Sequence, residues 1–314
     1  MSETHADPEP SVTPATRPNR FLALLDGPGP IVADGAMGTS LMRAGLEPGE
    51  VPETWVLRAD RRGLVRDVHA AYVAAGARIV LTNTFGANPI RLRVHDLSAR
   101  SGELSRAAAE LAREAAGESA AVAGSIGPVG EFIAPLGTLE PEAAADAFAI
   151  QAEALAAGGV DVLWIETMAD LAEVTAAVEG ARRGAPGLPV VTTMTFDSHG
   201  RTMMGTWPKD AAPALAGLGA VALGANCGTG PDEIEDAIGA MHGALPGALL
   251  VAKGNAGIPR FEGTTTVYDT APADSAEHAR RVVGLGARIV GGCCGTTPEH
   301  IRAIAEALGV APRD

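Results

Sequence analysis

The stretch ARIVGGCCGTTPEHIRAIAEALG, residues 287–309, holds a complete structural unit and two of the chain's three cysteines. It opens on an apolar run without alternation, which reads as a strand buried on both faces, as in a parallel sheet. It closes on a helical pattern with Thr297 as N-cap and Pro298 at the first helical position. Between the two, Cys293 and Cys294 stand side by side among glycines. Adjacent cysteines make a strained disulfide, and a buried apolar pair needs no glycine on both flanks. The placement therefore reads as a site at the end of a strand.

The same strand-then-helix grammar runs through the chain. Apolar runs occur at 31–37, 77–85, 120–127, 161–168, 189–196, 220–227 and 248–257, making eight with 287–294. Helical patterns lie between them, as in GLVRDVHAAYVAAG (63–76), where Leu64, Val68, Ala71, Tyr72 and Ala75 share a face before a glycine stop. Eight strand–helix units predict an α/β fold, a single (β/α)8 barrel of the TIM type over residues 21–314. A doubly wound sheet fits less well, because the first strand is not followed by a glycine-rich phosphate loop. Two long connections, Ser40 to Arg62 and IPRFEGTTTVYDTAPAD (258–274), are candidate lids over the C-terminal mouth of the barrel.

Composition narrows the function classes. With 314 residues and 46% hydrophobic content, the chain can bury a large core. A formal charge of −14 argues against a nucleic-acid or anionic-membrane surface. No apolar stretch reaches the roughly 18 residues that a membrane span needs. Residues 1–20 are polar and proline-rich, without a signal-peptide apolar segment, and are expected to form a disordered tail. Three cysteines do not form a disulfide framework, so reduced thiols and a cytoplasmic location are expected.

Polar residues gather at the strand ends: Asp34, Asn83, Thr84, Ser125, Glu166, Thr193, Asn226 with Cys227, Asn255, and Cys293 with Cys294. In a barrel these converge on one mouth, and the sixth and eighth strands are close on the ring. Cys227, Cys293 and Cys294 then suit a Zn2+ ion, one per chain, with one position left for substrate. Two other readings of the cysteines exist. As small buried hydrophobes they would not all fall at strand ends facing one mouth. As a redox pair they lack the Cys-x-x-Cys spacing. His69, His95 and His242 lie in or near helices and read as surface residues.

Taken together, ADGAMGTSL, TNTFGAN, GSIGP, IETM, GANCGTGPDE, NAGIP and GGCCGTTPEHI resemble the zinc-dependent homocysteine S-methyltransferases. That family includes betaine–homocysteine methyltransferases, S-methylmethionine-dependent enzymes and the homocysteine module of cobalamin-dependent methionine synthase. The resemblance covers about Ile31 to Leu308. It implies a (β/α)8 barrel with Cys227, Cys293 and Cys294 on zinc, and transfer of a methyl group to the zinc-bound thiolate of L-homocysteine, giving methionine. Only a thiolate is a good nucleophile, and zinc coordination deprotonates a thiol. No general base is required beyond the metal site.

Glu166 and Asp34 are candidates for the ammonium of the amino acid, and the backbone N–H groups of Gly35 and Ala36 for its carboxylate. Asn83, Thr84, Ser125 and Asn226 are further substrate-binding candidates, explained equally well as satisfied strand-end hydrogen bonds. The expected donor is betaine or a related onium such as S-methylmethionine, which calls for an aromatic cage. Trp55 and Phe85 are the cage candidates, with Trp207 in reserve. The betaine-using animal enzymes carry tyrosines where this chain has Gly86 and Thr167. A methyl-corrinoid donor would have to come on a separate partner protein, since the barrel is followed by no corrinoid domain before Asp314. Methylation of another small thiol, or a non-enzymatic zinc- or thiol-binding role, are the alternatives.

Overall fold

In a computed structural model, residues 18–197, 199–262 and 265–310 are described. The expected tail lies outside the described residues up to position 17, and a helix, α1 (Arg20–Asp26), begins at Arg20. The elements then run β1 (Ile31–Val32), α2 (Met37–Arg43), α3 (Arg62–Ala74), β2 (Ile79–Leu81), α4 (Pro89–Leu92), α5 (Ser101–Ala116) and β3 (Ala121–Ile126). They continue α6 (Pro141–Ala157), β4 (Val162–Met168), α7 (Leu171–Gly184), β5 (Val190–Met194), α8 (Pro208–Gly217), β6 (Ala222–Cys227) and α9 (Pro231–Ala244). Last come β7 (Leu250–Gly254), β8 (Arg260–Glu262), β9 (Thr265–Val267), α10 (Pro272–Gly284), β10 (Ala287–Gly292) and α11 (Pro298–Ala307).

Eight of the strands form one parallel sheet in the order β1-β10-β7-β6-β5-β4-β3-β2. A bridge between Ala33 and Ile79 joins β1 to β2 and closes the ring. This is the (β/α)8 barrel expected from the eight apolar runs, each of which contains one barrel strand. Their residues are almost all buried because the barrel interior and the helical layer cover both faces. Ile31, Ile79, Val162, Trp164, Val191, Val251 and Ile289 fill the interior. The opposite faces of the strands pack against the helices around Phe148, Leu155, Ile238 and Ile301.

The lower end of the barrel is stoppered by α1. Phe21 is fully buried against the interior residues, Asn19 Nδ2 donates to Asp161 O at 2.7 Å, and Arg288 donates to the Gly27 carbonyl at the end of the helix. At the upper end, the first long connection folds into α2 and a 3-10 turn, Pro52–Leu57. The second carries the β8–β9 hairpin, whose register pairs Arg260 with Val267. This hairpin is not signalled by the sequence pattern. Among the described residues no helix is long and apolar enough to cross a membrane. His69, expected at the surface, is fully buried in α3 without a partner on either ring nitrogen, and burial lowers its pKa to about 4. His95 is exposed and His242 half-buried.

Candidate metal centre and acceptor cavity

Cys227 ends β6, and Cys293 and Cys294 follow β10, with β7 between the two strands. The three Sγ atoms lie within 4.8 Å of one another, and Cys227 Sγ is 2.8 Å from Cys293 Sγ across 66 residues. Local backbone puts them there. Cys227 adopts φ 60°, which turns the chain sharply at the strand end. Cys293 N–H donates to Gly254 O at 2.7 Å, and Cys294 O accepts from Ala256 N at 2.9 Å. Thr296 then folds the turn back, its hydroxyl donating to Cys293 O at 2.7 Å. Asn226, fully buried behind Cys227, binds neighbouring strands through Thr167 and Thr193.

All three cysteines are free thiols. Cys294 is held well below the ordinary thiol range by hydrogen bonds from Cys227 and then Cys293, with Tyr268 helping, while Cys227 is pushed up by the same sharing. A soft, partly ionised, half-buried sulfur trio is a donor set that fits Zn2+ with one coordination position left over.

The thiols form one wall of a cavity of about 330 Å³, which also takes in Asp34, Glu166, Lys253, Phe85 and Tyr268. Glu166, 8% exposed, accepts from Ser125 Oγ at 2.5 Å, and burial raises its pKa to about 7. Asp34 is already engaged: Oδ1 accepts from Lys253 Nζ at 2.8 Å and Oδ2 from Leu81 N at 2.7 Å. Burial pushes its carboxyl up against the pull of Lys253. Lys253 was not singled out from the sequence. Its signal was a lone charge inside the apolar run of β7.

The other sequence candidates fall into two groups. Gly35, Ala36, Asn83, Thr84, Ser125 and Phe85 line the cavity. Yet Ala36 N–H donates to Thr296 Oγ1 at 3.1 Å, and a Cβ on Gly35 would lie 2.6 Å from the same hydroxyl. Thr296 thus engages the Ala36 N–H and packs close to Gly35. Asn83 Nδ2 donates to Pro52 O at 2.9 Å and Thr84 Oγ1 to Ser125 O at 2.7 Å, both structural bonds. Asn226 stands behind the wall and not in it.

Trp55 is displaced from the expected cage. It is fully buried in a cluster with Leu41, Val65, Leu104 and Leu111, with Arg61 4.6 Å above its ring, because the 3-10 turn points it into the helical layer. Trp207 is 42% exposed and lies in a different depression, under Arg201. The aromatic that sequence reasoning missed is Tyr268, from the second long connection. It packs so closely on Gly295 (φ 82°) that a Cβ there would lie 2.2 Å from its ring.

The comparisons with known proteins agree with this geometry. Residues 31–308 match the homocysteine S-methyltransferase family. The chain belongs to that family. It is 33% identical over 306 residues to a methionine synthase of Mycobacterium leprae, and 34% identical over 296 residues to that of Mycobacterium tuberculosis. These cover 90% and 88% of this chain but only 25% and 24% of the relatives, so the chain spans about a quarter of their length. The metallated form of the homocysteine methyltransferase MmuM from Escherichia coli superposes with a TM-score of 0.75 at 28% identity, covering 92% of this chain and 99% of that one.

Proposed function

We propose that this barrel transfers a methyl group from a small onium donor, betaine or S-methylmethionine, to the sulfur of L-homocysteine, yielding methionine. The observation that carries the reading is the convergence of Cys227, Cys293 and Cys294 with Glu166 on one cavity. The three cysteines would hold one Zn2+, which when bound lowers the pKa of an acceptor thiol and leaves it nucleophilic at neutral pH. Glu166 receives the acceptor's ammonium, and Ser125 fixes the rotamer in which it does so. Phe85 and Tyr268, both half-buried, offer ring faces to a donor cation whose charge disappears on transfer. The methyl group moves from donor to sulfur with its bond pair left on the donor, so no protein base is needed. The closed lower end and buried walls keep water from competing. A cytoplasmic setting suits three free thiols.

A second reading, a methyl-corrinoid carried by a separate protein, is favoured by the absence of Trp55 and Trp207 from the cavity wall, which leaves few aromatics for a cage. The deciding experiment is a donor screen with zinc-loaded protein and homocysteine, read as methionine formed. Turnover with betaine or S-methylmethionine supports the first reading. Turnover only with a methylated corrinoid protein overturns it in favour of the second.

A further inference from the structure

Glu53 is a buried carboxylate with no part in holding the acceptor. It belongs to the 3-10 turn Pro52–Leu57 of the first long connection, 5% exposed. The turn that sends Trp55 into the helical layer puts Glu53 on the wall of the cavity, beside Phe85. Its Oε1 accepts the Gly86 N–H at 2.6 Å, an approach that needs glycine, since a Cβ at position 86 would lie 2.8 Å from the same oxygen. Burial raises its carboxyl pKa against these backbone bonds and, more weakly, against the pull of Arg91 and His95. Arg91 is exposed, lies over the Phe85 ring at 5.3 Å and does not line the cavity.

The charges around the cavity leave this carboxylate without a counterpart. Asp34 is matched by Lys253 at 2.8 Å, and Glu166 is given to the acceptor's ammonium. No salt bridge reaches Glu53 among the described residues, although a buried carboxylate without a partner cation is costly. The rings on the wall are Phe85 and Tyr268 alone, too few to enclose a cation. A fixed negative charge beside Phe85 supplies by Coulomb attraction what further rings would supply.

We infer that Glu53 is the counter-charge for the donor's cationic centre, so that the site selects quaternary ammonium or sulfonium donors over uncharged molecules of the same shape. The cation lies between the Phe85 ring and the carboxylate. The acceptor sulfur supplies the pair for the new S–C bond, and the donor keeps the pair of the old one. Its nitrogen or sulfur becomes neutral, and the attraction that held it lapses. This inference rests on the onium-donor reading and makes Glu53 a specificity-determining residue of that site.

The test separates charge from shape. Calorimetry on the zinc-loaded full chain, with L-homoserine in place of the acceptor, would compare choline with its uncharged isostere 3,3-dimethylbutan-1-ol. The unmodified protein is expected to prefer choline by at least about tenfold. In Glu53→Gln, whose amide oxygen can still accept the Gly86 N–H, the preference should fall towards unity with zinc content and homoserine affinity unchanged. Glu53→Asp, keeping the charge on a shorter arm, should retain part of it. Absence of choline binding to the unmodified protein, or an undiminished preference in Glu53→Gln, overturns the inference. Betaine or S-methylmethionine turnover that Glu53→Gln leaves untouched would also sink it while keeping the onium reading. A clear choline preference with no turnover on any onium would sink that reading and leave the cation site standing.

Discussion

Asn226 and Thr167 are locked together at the strand ends: Asn226 Oδ1 accepts the Thr167 N–H at 2.8 Å while its Nδ2 donates to Thr167 Oγ1 at 2.7 Å. Oδ1 also accepts from Thr193 Oγ1 at 2.6 Å, and Nδ2 lies 3.8 Å from Cys293 Sγ. Thr167 and Cys227 both adopt positive φ, 63° and 60°, so one side chain holds two unusual turns in place. Asn226→Ala should leave buried partners unpaired at about 1–3 kcal/mol each. The melting temperature should fall, and zinc affinity with it by about ten- to a hundredfold. Asn226→Asp keeps the acceptors and should lose less. An unchanged zinc dissociation constant in the alanine variant would show that the cysteines hold their own geometry.

The thiols themselves give a redox prediction. With Cys227 and Cys293 sulfurs 2.8 Å apart, mild oxidation of the metal-free protein should join these two in a disulfide. Zinc binding should be lost with it and return on reduction. Peptide mapping under non-reducing conditions reads the pair directly. Each of Cys227→Ala, Cys293→Ala and Cys294→Ala should likewise lose zinc while the circular dichroism of the barrel is kept, since the centre lies at the mouth. Full zinc occupancy in any of the three removes that residue from the ligand set.

Glu166, with its pKa raised to about 7, is protonated below that value and cannot then hold an ammonium. Binding of methionine, which has no thiol proton to lose, should strengthen as pH rises from 6 towards 8. Glu166→Gln should weaken binding and flatten this dependence. In turnover, Glu166→Ala should raise KM for homocysteine far more than KM for the donor. Identical pH profiles in the variant and the unmodified protein would show that the carboxylate does not face the ligand's amine.

Glu173 allows the same shift to be read as stability away from the cavity. It is buried, accepts the Val129 N–H at 2.8 Å, and has a pKa raised by burial to about 7. Its folded pKa exceeds the unfolded one, so the folded state binds the proton more tightly. The contribution is fully present below about pH 4.5 and is lost as pH rises through 7, to a size on the order of 3 kcal/mol. Denaturant melts of Glu173→Gln should therefore gain on those of the unmodified protein between pH 5 and pH 8.

Trp55→Ala should act on folding and not on donor choice. The ring is fully buried among aliphatic side chains, so its loss leaves a cavity worth about 3–5 kcal/mol. Relative turnover with different donors should be unchanged in whatever folded protein remains, whereas Phe85→Ala should change it.

The eight strands were legible because burial on both faces leaves an uninterrupted apolar signature, and the cysteines because sulfur at glycine-flanked strand ends has few other uses. What could not be read was pairing across the ring. Asp34 and Lys253 are 219 residues apart, so nothing local told that the aspartate was already matched. Trp55 and His69 misled for a related reason: a loop tryptophan and a helical histidine carry no local mark of which way they face. Tyr268 lay in a long connection without periodicity, where only the close approach to Gly295 gives it away.

The stopper that α1 makes at the lower end turns the barrel into a vessel with traffic through one door. Asp34, Lys253 and Ser125, which line the cavity, are almost fully buried, whereas Phe85, Tyr268 and the thiols are half-exposed. Whatever sits deepest must arrive first and depart last. Steady-state kinetics should accordingly be sequential and ordered, with thiol before donor and spent donor out before thioether, so that methionine competes with homocysteine for the empty enzyme.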